Sequence, residues 1–166
     1  MLIIEPNGAI RTILGSAPRD VKFSEDGTRI YLASGTQILV VDSVSGAQVG
    51  QYDLGQQIGA IDVSADGSTL GAVIQTGAGI PARFSLIDLT TNIVSSRSFA
   101  IGGAITGSFF DIAFAANGRV LLSQANGGSL VEYNPVTSLT SYLVSAAAGT
   151  TLITGIDHLQ VLIVQP

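Results

Sequence analysis

Hydrophobic and polar positions alternate in short bursts along this chain, and turn-forming residues separate the bursts. Between residues 20 and 54 the pattern reads as four strands. Asp20-Val21-Lys22-Phe23-Ser24 leads into a tight turn at Glu25-Asp26-Gly27-Thr28, followed by Arg29-Ile30-Tyr31-Leu32-Ala33. Gln37-Ile38-Leu39-Val40-Val41-Asp42, a turn at Ser43-Val44-Ser45-Gly46 and a fourth strand over 47–54 complete the unit. Short apolar runs bounded by Gly, Asp, Asn and Ser are the punctuation of an antiparallel meander. No segment carries a helical period.

The unit returns twice, over 60–99 and 110–144. Asp26-Gly27, Asp66-Gly67 and Asn117-Gly118 mark the first turn of each unit, while Asp42, Asp88 and Asn134 end each third strand. The three turn glycines are 40 and 51 residues apart, and insertions at 75–82 and 102–108 account for the longer interval. Four strands repeating every ~40–45 residues are the signature of a β-propeller.

The ends read as two halves of a further unit. Residues 2–5 and 9–14 flank Pro6-Asn7-Gly8, and Asn-Gly is a strong hairpin signal because its turn needs positive φ. Residues 152–157 and 160–164 read as first and second strands around His158-Leu159. Joined, 1–14 and 152–166 would form one split sheet, which satisfies backbone edges left open by an unclosed ring. The expectation is a single all-β domain over 1–166: a β-propeller of four blades of four antiparallel strands, one blade split between the N- and C-termini.

Composition narrows the partners. The chain of 166 residues is long enough to bury ~70% of its unfolded surface, and only 11% of it is charged. Net charge is −5 and Lys22 is the sole lysine, so a basic face for nucleic acid or anionic lipid is absent. The absence of cysteine excludes disulfides, thiolate metal sites and a cysteine nucleophile. Met1-Leu2-Ile3-Ile4 runs directly into Glu5-Pro6, which is no signal peptide, and no apolar run approaches the ~20 residues of a membrane helix. No membrane insertion is expected. A lysine-poor, cysteine-free chain rich in Ser, Thr and Gly points to an extracellular or surface origin.

The motif apolar-x-apolar-Ser-x-Asp-Gly, followed later by apolar-x-apolar-Asp, is carried by Val21–Gly27 with Ile38–Asp42 and by Ile61–Gly67 with Leu86-Ile87-Asp88. It resembles the YVTN-type β-propeller repeat. It is similar also to WD-repeats, although the chain has no Trp and so no Trp-Asp dipeptide. The third unit departs, with Ala115 and Asn117 in place of Ser and Asp. The resemblance implies a propeller and leaves the activity open, because such repeats serve lactonase-like enzymes, surface proteins and binding platforms alike.

Asp20, Asp62, Asp111 and Asp157 lie on or beside the first strands, which line the channel of a propeller. A ring of carboxylates could hold a hard cation such as Ca²⁺. The competing reading is that they bond to nearby backbone N–H groups. Asp20 and Asp111 share a register, whereas Asp62 and Asp157 sit two positions later. His158, beside Asp157, is the only histidine, too few for a zinc site, and no Gly-x-Ser-x-Gly elbow accompanies it. These residues therefore point to a non-catalytic binding or scaffold module without a cofactor, recognising a protein or small-molecule ligand through the loops at 75–82 and 102–108. The rival readings are a lactonase- or hydrolase-like enzyme with a channel-bound divalent cation, and a fragment of a larger propeller. A ring closed on itself would be a monomer, an open one a dimer.

Overall fold

The computed structural model of the chain describes residues 2–4, 10–12, 17–77, 80–99, 109–124 and 130–144. All regular structure in them is β. An antiparallel hairpin of β1 (Leu2–Ile4) and β2 (Ile10–Thr12) precedes three four-stranded sheets. The first comprises β3 (Asp20–Phe23), β4 (Arg29–Ser34), β5 (Gln37–Asp42) and β6 (Gln48–Asp53). The second comprises β7 (Ile58–Val63), β8 (Thr69–Ile74), β9 (Ala82–Asp88) and β10 (Val94–Phe99). The third comprises β11 (Phe109–Phe114), β12 (Val120–Gln124), β13 (Leu130–Asn134) and β14 (Leu139–Val144). Within each sheet the spatial order follows the chain, and every pairing is antiparallel. Three successive meanders are thus present, as the repeat requires. The expected strands at 152–164, the loop at 102–108, Asp157 and His158 lie outside the described residues.

The repeated turn residues do the same work each time. Gly27, Gly67 and Gly118 adopt φ of 69°, 68° and 77°, a left-handed conformation that costs glycine nothing. Asp26 Oδ1 accepts from the Thr28 amide and the Ser24 hydroxyl; Asp66 Oδ1 accepts from the Ser68 amide and the Ser64 hydroxyl. Asn117 Oδ1 accepts from the Arg119 amide. At the other turn, the side-chain oxygens of Asp42, Asp88 and Asn134 each accept two backbone N–H groups ahead of them. These are Asx-turns, in which a short side chain replaces a turn's backbone acceptor.

The sheets stack with their first strands adjacent: β7 packs against β3 and β4, and β11 against β7, β8 and β9. Tyr31, Ala33 and Ile38 of the first sheet bury against Ile58, Ile61, Leu70 and Ile74 of the second. On its opposite face the second sheet sets Val73 and Phe84 against Phe109, Ile112, Leu122 and Tyr133 of the third. The Phe84 and Tyr133 rings meet edge to face with centroids 5.1 Å apart. Adjacent residues of β8 point to opposite faces, so a strand packed on both sides is apolar throughout rather than alternating. Gly71 marks the closest approach. A Cβ there would lie 2.6 Å from Ile112 Cδ1 and 3.0 Å from the Phe114 ring.

The first strand of the second sheet begins two residues before the expected Ala60. Ile58 N donates to Gly35 O of the first sheet at 2.9 Å, a contact between units that periodicity within one unit cannot reveal. No helix among the described residues is long and apolar enough to cross a membrane.

Candidate functional site

Two of the first-strand aspartates, Asp20 and Asp62, bind backbone of the next sheet. Asp20 Oδ1 accepts from its neighbour Val21 N at 2.8 Å, and Oδ2 accepts from Ile61 N of the second sheet at 2.9 Å. Asp62 Oδ2 accepts from Phe114 N of the third sheet at 2.8 Å, while its Oδ1 lies 3.4 Å from Lys22 Nζ of the first. Asp111 accepts from Ile112 N at 2.9 Å. Asp20 and Asp62 therefore tie successive sheets together. Among the described residues no group of three or more His, Cys, Asp or Glu is disposed to hold a metal ion. The donor set that a channel cation would need is thus not assembled there.

A groove of about 610 Å³ lies instead between the second and third sheets, at the end that carries the Asx-turns. Its second-sheet wall comes from the β7–β8 turn with Asp66 and Ser68, the β9–β10 turn with Asp88 and Thr91, and Ser95 and Arg97 of β10. A bond from Leu89 N to Ser68 O, 2.8 Å, ties the two turns. The third sheet contributes Phe114, Asn117, Tyr133 and Pro135. The half-buried Leu86 and Phe114 make part of the lining apolar. This is a mixed surface, with a few oriented polar groups around an apolar patch, of the size that small ligands occupy.

Electrostatics follow the turns. The Ser64 hydroxyl, with the amide and hydroxyl of Ser68, holds Asp66 down from the ordinary 3.8 to about 2. The amides of Thr91 and Thr90 lower Asp88. Both are carboxylates near neutral pH. Arg97 is exposed; its Nε donates to Tyr133 Oη at 3.2 Å and its Nη1 to Ser96 O at 3.3 Å. Tyr133 Oη lies 3.5 Å from Ser138 Oγ.

Comparison of the repeats shows different contacts across the two gaps. Tyr52 pairs with Ile38 across β5–β6, four residues before the Asx-turn aspartate; Arg97 pairs with Phe84 at the same place in the second sheet. Between the first and second sheets, Tyr52 Oη reaches Asn92 Oδ1 directly at 2.8 Å. Between the second and third, the equivalents of Tyr52 and Asn92 are Arg97 and Ser138, and contact passes through Tyr133. The salt bridges differ too. Arg29 stands opposite Asp42 in the first sheet and bonds it at 2.7 Å, and Arg119 pairs with Glu132 in the third. In the second sheet Thr69 stands opposite Asp88. Among the described residues, Asp88 has no cation and Arg97 no carboxylate.

Sequence reasoning placed recognition at 75–82 and 102–108 and did not find this groove. Residues 75–77, 80 and 81 belong to the β8–β9 connection and Ala82 opens β9, at the opposite end of the second sheet. Aligning fourth strands would have exposed Arg97 in the place of Tyr52, but which gap it faces needs the stacking of sheets.

No family model matches the chain, and no curated protein does. Solved structures do match, 232 chains among them. Kuenenia stuttgartiensis hydrazine synthase aligns with a TM-score of 0.61 and 14% identity, over 76% of this chain and 35% of that one. The likeness is one of fold, and this chain spans about a third of that chain's length.

Proposed function

We propose that this protein is a non-catalytic, propeller-type binding module whose ligand occupies the groove between the second and third sheets. The observation that carries this reading is the change of repeat at that gap: Arg97 and Ser138 stand where Tyr52 and Asn92 bridge the preceding one. Asp20 and Asp62 are engaged in joining sheets, which argues against a channel cation and the hydrolase chemistry that would depend on it. In this reading residues 1–14 and 152–166 complete a fourth, split blade. Support comes from Ile30, Leu32 and Val41, which are 0%, 3% and 2% exposed although, among the described residues, the cluster they form draws on the first sheet alone.

Titration of the ¹⁵N-labelled chain with panels of peptides and saccharides tests the site. A binder is expected to shift the amides of Ser95, Arg97, Asn117 and Gly118. Ligands that shift only residues 75–77 and 80–82 would place recognition at the other end and overturn the reading.

A further inference from the structure

Resting on that reading of the groove, we infer that its ligand is an extended peptide carrying opposite charges about four residues apart, the anion at Arg97 and the cation at Asp88. Three observations meet here. The first is charge complementarity: Arg97 and Asp88 both line the groove, and among the described residues neither has an ionic partner, while Arg29–Asp42 and Arg119–Glu132 are paired within their own sheets. A guanidinium whose Nε and one Nη1 hydrogen are engaged still presents donors at its Nη end, a geometry suited to a carboxylate.

The second is spacing. Arg97 stands opposite Phe84, four residues along β9 from Asp88, or about 13 Å at the rise of a strand. A peptide of the same extended rise presents side chains i and i+4 at that separation, on one face. Neither charge is then far from a partner, and the two contacts fix the direction in which the peptide lies.

The third is backbone. β10 is the outer strand of its sheet and, among the described residues, pairs with β9 alone. Its outer edge offers a row of N–H and C=O groups, and an extended peptide satisfies such an edge by adding a strand. A saccharide has no matching periodic backbone. Ile93, Ser95 and Arg97, alternate residues that line the groove, would flank the peptide's inward side chains.

The probes, titrated into the full-length chain, are capped pentapeptides: acetyl-Lys-Ala-Ala-Ala-Glu-amide, its charge-reversed order, and the uncharged acetyl-Gln-Ala-Ala-Ala-Gln-amide as their common control. One charge order is expected to shift Thr91, Ser95 and Arg97 saturably, and the Gln peptide is not. Affinity should fall about tenfold in Arg97→Gln and in Asp88→Asn, the loss of one charge-assisted contact each. Asp88→Asn keeps the turn, since Asn134 fills that position in the third sheet with the same two amide bonds. It therefore remains informative if Arg97→Gln unfolds. N-methylation of the peptide's inward-facing amides should abolish binding with charges intact. Groove shifts from saccharides but from neither charged peptide would overturn the inference and leave the groove reading standing. Peptide binding indifferent to both substitutions overturns it as well. Absence of groove shifts from every probe overturns both.

Discussion

At the scale of single residues, the repeated aspartates are the most informative positions. Asp26 and Asp66 are each held to about 2 by the hydroxyl of the serine two residues before them and by donors two residues after. Asp42, Asp53 and Asp88 are lowered mainly by backbone amides ahead of them. A carboxyl depressed in the folded state contributes stability that is complete above its unfolded value, here 3.8, and is lost as pH falls through the folded value. The melting temperature is therefore expected to be flat above about pH 5 and to drop between about pH 4 and 2. In Asp26→Asn/Asp66→Asn, which keeps an acceptor as Asn117 does naturally, that acid limb should be shallower. An acid limb of unchanged steepness would show that other carboxyls dominate. All these groups are at the surface, so only the shape of the curve is informative.

At the scale of elements, the meanders were legible and their mutual packing was not. Strand Gln37–Asp42 has the bounds expected from its apolar run and turn residues, because both signals are local. The roles of Asp20 and Asp62 were not legible beyond a general readiness to bind backbone, since their partners Ile61 and Phe114 lie 41 and 52 residues away. The groove escaped for the same reason. Gly71 shows how sharply the contact between sheets is set. Its Cβ would meet Ile112 Cδ1 and the Phe114 ring, and Phe114 is part of the groove lining. Gly71→Ala is expected to destabilise by about 1–3 kcal/mol, the cost of overpacking a well-filled core. Adding Ile112→Val removes the clashing Cδ1 and should recover part of the loss, read as the midpoint in a denaturant titration. Full additivity of the two substitutions would mean that the clash is not where the geometry puts it.

At the scale of the whole molecule, the burial of the first sheet's far face calls for a further layer. Ile30, Leu32 and Val41 pack with Val21 and Leu39 of their own sheet and are almost wholly buried. Burying such side chains contributes about 1.5–3 kcal/mol each. Together that is comparable with the whole ~5–15 kcal/mol net stability of a domain. A fourth sheet built from 1–14 and 152–166 would supply the cover and leave no blade face bare. Deleting residues 1–14 is then expected either to abolish cooperative unfolding or to drive association through the bared face, seen as a larger species in gel filtration. Synthetic peptide 1–14 added in trans should restore the monomer, because it returns the missing strands without altering the rest of the chain. A deletion variant that stays monomeric with an unchanged melting temperature would rule out the split sheet. Restoration by a scrambled peptide of the same composition would do so too, by showing that the face accepts any apolar strand.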